Sequence, residues 1–270
     1  MPPVATPSWD PGQYLRHSGP RTRPFHDLLA RIPDLPGQGR RPARIADLGC
    51  GAGNVTALLT ARWPDADVLG LDNSPEMLAE ARAYCGDRIT FAHADLTTWV
   101  PDGPYDLIVS NAALQWVPGH ARSFATWTKA LTPGGTLAFQ VPGNGDAPSH
   151  ALLRELCASP RWHDRLGEAG RRRVDVLAPQ EYLDRLTRLG CTVDAWETTY
   201  VHVLQGEDPV LDWIRGTGLR PALTALADDA EATAAFLAEY AALLREAYPR
   251  RPYGTPFPFR RVFVVARKPD

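Results

Sequence analysis

Asp47-Leu48-Gly49-Cys50-Gly51-Ala52-Gly53-Asn54 decides how this chain folds, because three alternate glycines separate an apolar run from a helical one. Upstream, Arg44 to Asp47 reads as a strand; downstream, Val55 to Arg62 reads as a helix. At the carboxyl end of a parallel strand the backbone must turn sharply and admit a ligand closely. Glycine lacks the Cβ that would block both. Outward from this loop, between residues 43 and 141, β-branched or aliphatic runs alternate with helical stretches, the mark of βαβ units and a parallel sheet. The strands are Arg44 to Asp47, Val68 to Asp72, Ile89 to Ala92, Tyr105 to Ser110 and Thr136 to Val141, each apolar enough to be covered on both faces. Ser74-Pro75, a capping residue followed by proline at the first helical position, opens a helix with Met77, Leu78 and Ala81 on one stripe. The expected class is α/β, with a doubly wound sheet.

The rest of the chain divides around this core. Residues 1–42 read as an N-terminal flap and helix: the first 20 residues as flexible, then a short helix at Pro24 to Arg31 and a Pro/Gly-rich linker from Ile32 to Pro42. Residues 43–204 read as the core, ending with a helix from Pro179 to Leu189 stopped by Gly190 and a long alternating strand, Thr192 to Leu204. Residues 205–254 read as a helical cap insertion. There Asp208-Pro209 and Arg220-Pro221 open helices, and Phe236, Leu237, Tyr240, Leu243 and Leu244 form an apolar stripe. Residues 255–270 bring back a final core strand, Arg261 to Ala266.

Composition excludes several classes. The 270 residues are 44% hydrophobic and 22% charged, as in a folded soluble protein rather than a disordered or fibrous one. With 29 Lys+Arg against 31 Asp+Glu the net charge is −2, so no overall field attracts nucleic acid or an anionic membrane. The opening MPPVATPSWDPG lacks a basic start before an apolar core, and no run of about 18 apolar residues occurs, so the expected location is cytoplasmic. Cys50, Cys85, Cys157 and Cys191 form no C-x-x-C pair, no H-E-x-x-H spacing is present, and no G-x-S-x-G elbow occurs. No metal is expected.

The chemistry gathers at the strand ends. Asp72 follows the glycine loop at the end of the second strand, where a carboxylate can accept two hydrogen bonds from a ribose diol. Asp95 follows the third strand. Together they suit an adenosine-bearing cofactor lying along one sheet edge. The dinucleotide fingerprint G-x-G-x-x-G would need its third glycine at position 54, where Asn54 stands. Asp47 also puts a carboxylate beside the loop, which suits an ammonium-bearing ligand better than a pyrophosphate. An NAD-linked oxidoreductase and a non-catalytic cofactor-binding module remain competing readings.

Plain structural roles compete for each residue. Asp72 can cap the following helix, Asp47 can orient the loop backbone, and Cys50 reads as a small filler. Trp9, Trp99 and Trp213 read as core, and Arg171-Arg172-Arg173 as a solvated patch. Gln115 and Trp116 differ in placement: they follow the fourth strand within NAALQW, at the cofactor edge, and are candidates to line the pocket. Arg215 and Arg220 flank Gly216-Thr217-Gly218, where broken helix can present backbone N–H groups beside two guanidiniums. That is the strongest anion-binding pattern in the chain, with Arg23, Tyr253, Arg260 and Arg261 as further candidates.

The motifs DLGCGAGN, LGLDNS, ADL and PGG, in this order, resemble those of class I S-adenosylmethionine-dependent methyltransferases. The resemblance implies a Rossmann-like sheet of seven mostly parallel strands with the last antiparallel. It also implies that Asp47 with Gly49, Gly51 and Gly53 holds the methionine part of S-adenosyl-L-methionine, Asp72 with the adjoining Asn73 the ribose, and Asp95 with the Leu96 backbone the adenine, while Asn111 lines the site. No N/D-P-P-Y/F box follows the fourth strand, since Asn111 is succeeded by Ala112-Ala113-Leu114, which argues against nucleobase or glutamine amines as targets. WDPGQYL, ADLTTW, SNAALQW, QVPGN, YVHVL, DWIRGTGLRP and FPFRR resemble, along almost the full chain, the trans-aconitate 2-methyltransferase family. That resemblance implies methyl transfer to a carboxylate oxygen of trans-aconitate or a related small polycarboxylate; the alternative is another small-molecule acceptor. No general base is then needed, because the acceptor is already ionised at neutral pH.

Overall fold

The structure, a computed structural model, describes residues 18–37, 39–171 and 176–270. Its seven-stranded sheet comprises β1 (Arg44–Leu48), β2 (Asp67–Asp72), β3 (Ile89–His93), β4 (Tyr105–Asn111), β5 (Leu131–Pro142), β6 (Thr192–Leu204) and β7 (Thr255–Arg267). Their order is β3-β2-β1-β4-β5-β7-β6. The β1–β2, β2–β3, β1–β4 and β4–β5 pairs are parallel, and β7 runs antiparallel to β5. Chain order reverses between β1 and β4, and at such a switch point the carboxyl ends of neighbouring strands leave a crevice for a ligand.

Two compact units emerge. The sheet unit, over the described residues, holds 18–143, 176–198 and 260–270. Its helices are α1 (Ser18–Leu29), α2 (Ala57–Arg62), α3 (Pro75–Ala81) and α4 (Phe124–Lys129). Every residue of β4 is buried, as expected of a central parallel strand covered on both faces. One of those faces meets Phe124, Trp127, Phe139 and Tyr182, with Phe139 and Tyr182 edge-to-face at 5.1 Å between ring centroids. Asp106, wholly buried on β4, takes both guanidinium nitrogens of Arg41 at 2.7 and 2.6 Å, the Arg44 N–H at 2.9 Å and the Thr132 hydroxyl at 2.9 Å. Burial pushes this carboxyl up, but the four donors outweigh it and hold the group below its ordinary range.

The helical unit, over the described residues, holds 144–171 and Thr199–Phe259. In chain order α5 (Pro148–Ala158) and α6 (His163–Arg171) belong to it. The sheet unit then supplies α7 (Pro179–Arg188), before α8 (Pro209–Arg215), α9 (Arg220–Ala225) and α10 (Ala230–Ala247) complete the helical one. Its core joins Leu153, Trp162 and Leu166 to Trp213, Phe236, Tyr240 and Leu244. The Tyr240 hydroxyl donates to the Ser149 carbonyl at 2.7 Å, and the Ser149 N–H donates to the Tyr248 hydroxyl at 3.0 Å. The cap boundaries of 205–254 read from the sequence cover part of this unit, in which α5 and α6 pack on each other and on α10 and α9.

Other boundaries moved as well. The helix expected from Pro24 begins at Ser18 and carries Pro24 inside it. β5, read from Thr136, reaches back to Leu131 through Pro133-Gly134-Gly135, and the β4–β5 register shifts between Tyr105 and Leu107 to absorb the irregular backbone. The Ser74 cap is as expected: its hydroxyl oxygen accepts from the Met77 N–H at 3.2 Å. Residues 1–17 of the flap, with Trp9, and Arg172 and Arg173 lie outside the described residues, whereas residues 18–20 open α1. Among the described residues no helix is long and apolar enough to cross a membrane.

Candidate active site

The glycine loop leaves β1 at the switch point and is pinned to β2. The Gly49 and Cys50 N–H groups both donate to the Leu71 carbonyl, at 2.7 and 3.0 Å. Gly49 has φ +73°, and a Cβ there would lie 2.1 Å from the Ala113 Cβ, a distance no packing can relieve. Gly53, at φ +80°, would bring its Cβ within 2.9 Å of the Phe91 ring and 3.2 Å of the Ala81 backbone. At Gly51 a Cβ would meet nothing within 4 Å, so the loop presents open space there. Gly49 thus seats the loop against the segment after β4, Gly53 seats it against α3 and β3, and the middle of the loop faces a possible ligand.

Two carboxylates flank it. Asp72 accepts the Gly51 N–H on Oδ2 at 2.8 Å and the Ser74 N–H on Oδ1 at 2.9 Å, so it ties the loop to the start of α3. Burial raises its pKa, against the lowering effect of those N–H groups. Each oxygen retains a further lone pair for a ligand hydroxyl. Asp47 is buried; its Oδ2 accepts the Thr56 hydroxyl at 2.6 Å, while Oδ1 is buried with no partner. Burial, opposed by Thr56 and reinforced by the charge of Asp72, lifts Asp47 from 3.8 to about 7. Thr56 escaped the sequence reading, since a threonine at a helix start looks like an ordinary cap. Cys50 is buried and its thiol is pushed far up, first by burial and then by Asp47 and Asp72, so it fills space as a neutral group.

Beyond the second strand the sequence reading fares unevenly. Asp95 lies two residues past the end of β3 and is exposed. Its Oδ1 accepts the Thr97 N–H at 2.8 Å and the Thr97 hydroxyl at 2.7 Å, an Asx turn that shapes the segment. Leu96 is buried, its Cδ1 4.0 Å from where a Gly49 Cβ would stand, and Asn73 is exposed.

The carboxyl ends of β4 and β5 carry a different chemistry. Asn111 and Gln140 are register partners, and Gln140 pairs with Phe263 on β7, two residues from Arg261. The Gln140 amide Nε2 donates to Asn111 Oδ1, and Gln140 Oε1 accepts from Arg261 Nη1 at 3.2 Å. All three side chains are buried. Directly after β4, Ala112 takes φ +55°, the single non-glycine positive value among the described residues, and turns the chain so that Ala113 meets Gly49. Gln115 is buried; its Nε2 donates to the Ala112 carbonyl at 2.5 Å, and its Oε1 has no partner. A buried acceptor of that kind suits a donor on the ligand better than a carboxylate. Trp116, at 37% exposed, lies at the surface end of this turn.

Arg215, Arg220 and Tyr253 belong to the helical unit, and Arg260 to the sheet unit. Arg215 ends α8 and is exposed, and Arg220 opens α9. The backbone cradle expected between them does not form: Thr217 and Leu219 N–H groups both donate to the Ile214 carbonyl, at 2.9 and 3.3 Å, closing the helix end instead. Tyr253 is 62% exposed. Arg260 pairs with Glu197 at 2.6 Å and donates to the Gly143 carbonyl at 3.2 Å, bracing β7 against β6. Trp213 is buried, stacked on His202 at 4.7 Å, as its core reading required.

Comparisons with known proteins agree with this geometry. A family model described as a methyltransferase domain matches residues 45–135, the segment from β1 into β5. A trans-aconitate 2-methyltransferase of Streptomyces avermitilis is 64% identical over 272 residues, covering 98% of this chain and 99% of that protein. One of Streptomyces coelicolor is 62% identical over 273 residues, covering 99% of this chain and 89% of that protein. The structure of Haemonchus contortus phosphoethanolamine N-methyltransferase 2 in complex with S-adenosyl-L-methionine matches with a TM-score of 0.53 at 17% identity, over 92% of this chain and 53% of that one, a likeness of fold alone. With relatives this similar over nearly their whole length, the chain belongs to the trans-aconitate 2-methyltransferase family, within the S-adenosylmethionine-dependent methyltransferases.

Proposed function

We infer that the protein transfers a methyl group from S-adenosyl-L-methionine to a carboxylate oxygen of trans-aconitate, giving a monomethyl ester. The observation that carries the donor half is the unpartnered, buried Asp47 Oδ1 beside the open middle of the glycine loop. A buried acceptor without a donor is unfavourable, and a ligand ammonium is the group that satisfies it while restoring the ionised form. The residues therefore fit the amino-acid end of the cofactor, with Asp72 for the ribose hydroxyls and Leu96 along the same edge; Asn111, which the resemblance puts in the cofactor site, is placed on the acceptor side. The Asp95 carboxylate, engaged by Thr97, contributes mainly by shaping that edge.

When bound, S-adenosyl-L-methionine supplies a methyl group on a sulfonium, which an ionised carboxylate oxygen takes without a general base. The chain's own work is positioning and exclusion of water. Arg261 is assigned to the acceptor's carboxylates, and Trp116 to the rim. Gln115, offering an acceptor oxygen, is reassigned to the donor side. Both substrates are small and water-soluble, so the reading needs neither nucleic acid nor membrane, and a cytoplasmic setting belongs with it. A panel of di- and tricarboxylates incubated with methyl-labelled donor tests it: trans-aconitate should give the highest kcat/KM and a monomethyl ester by mass spectrometry. Donor binding with no ester from any member of the panel would overturn it.

A further inference from the structure

We propose that Gln140 is a positioning residue that makes the β4–β5–β7 edge a carboxylate-binding floor. The inference rests on the acceptor reading above and adds to it a residue that touches neither reacting group. Gln140 is wholly buried and both ends of its amide are engaged, Oε1 by the Arg261 guanidinium and Nε2 by Asn111 Oδ1. An amide has a donor end and an acceptor end, so the cation on one side dictates what the other side offers. With Oε1 turned to Arg261, Nε2 must face Asn111, and Asn111 must present its oxygen inward.

The consequence falls on the outward end of Asn111. Its Nδ2 donors are left pointing away from Gln140, and among the described residues no hydrogen bond engages them. The strand ends therefore offer the amide N–H₂ of Asn111, oriented by a glutamine whose own orientation Arg261 sets, and an N–H₂ favours a carboxylate. Arg261 owes its placement to the sheet: β7 returns antiparallel to β5, setting it diagonally across from Gln140 on the same face.

Glutamate at this position would reverse the arrangement. Its carboxylate would neutralise Arg261 and demand a donor from Asn111, turning Nδ2 inward and the oxygen outward. Gln140→Glu should raise the KM for trans-aconitate about tenfold or more while the Kd for S-adenosyl-L-methionine, by calorimetry, stays within about threefold. It should also erase the preference for tricarboxylates over monocarboxylates. Gln140→Met, which removes both hydrogen bonds without adding charge, should shift acceptor KM in the same direction by less, and it serves if the glutamate variant does not fold. An unchanged acceptor KM in a folded variant, or equal weakening of donor and acceptor with a lowered Tm, would show Gln140 to be a packing residue and overturn the proposal. Wild-type protein that binds donor yet makes no ester from trans-aconitate would instead fail the acceptor reading, and this inference with it.

Discussion

Two stretches of the same sheet edge differ in sign and in origin. Around β1 and β2 the edge is acidic, and burial keeps it hungry for donors: Asp47 is lifted to about 7 and its Oδ1 lacks a partner. Around β4, β5 and β7 a buried amide, Gln140, links the Arg261 guanidinium to Asn111 and leaves the Asn111 N–H₂ turned outward. One stretch suits a cationic ligand and the other an anionic one, a division of labour expected of an enzyme that joins a sulfonium donor to a carboxylate. The acidic stretch is local, its key bond joining residues 21 apart; the donor stretch depends on residues 121 apart.

The sharpest way to break this contrast is Asp47→Asn. The variant should lose S-adenosyl-L-methionine affinity by about a hundredfold or more by calorimetry, because the ammonium loses a buried charged partner. The ligand-free variant should nonetheless melt higher than wild type above pH 7. Between 3.8 and about 7 the folded protein holds a proton on Asp47 that the unfolded chain has released. Its contribution to stability therefore falls as pH rises through that window. By the same linkage, wild-type donor affinity should weaken by up to about tenfold per pH unit below pH 7. A flat profile would place the ammonium elsewhere.

On the opposite stretch, Arg261→Ala should raise acceptor KM about ten- to a hundredfold and leave donor Kd within about threefold. Loss of donor affinity in it, with acceptor KM kept, would refute the assignment. Next in size is a contrast inside the loop. Gly49→Ala should cost about 2–4 kcal/mol of stability and donor binding with it, since its Cβ collides with Ala113. Gly51→Ala, equally at positive φ but meeting no atom, should cost only about 1 kcal/mol in chemical denaturation. Equal losses would mean that backbone conformation, not the contact with Ala113, sets the loop. The smallest effect on chemistry is expected at Arg41→Ala, which removes the half-exposed partner of buried Asp106. It should lower stability by about 1–2 kcal/mol at neutral pH, with kcat and both KM values unchanged.

Much of the fold was legible because its signals are local. The glycine loop, the Ser74 cap, the strand termini at Asp72 and the β6 limits all follow from short-range periodicity and turn chemistry. The helical unit was read only in part: α5 has no side-chain cap and its apolar positions look like any amphipathic helix, so nothing local says which core receives them. Gln115 and Gly216–Gly218 illustrate a related point. A residue type indicates which hydrogen bonds are available, whereas their use depends on neighbours, here the Ala112 carbonyl and the Ile214 carbonyl.

By itself the sequence determined the α/β class and the family, since each is written in contiguous motifs whose geometry a strand-turn-helix unit imposes. Tertiary structure alone decided that Asp47 keeps a bare oxygen, that Ala113 seats against Gly49, and that Gln140 joins Asn111 to Arg261. Those facts depend on burial and on strand pairing across distant segments, and neither desolvation nor register between β5 and β7 is encoded in any single stretch of chain.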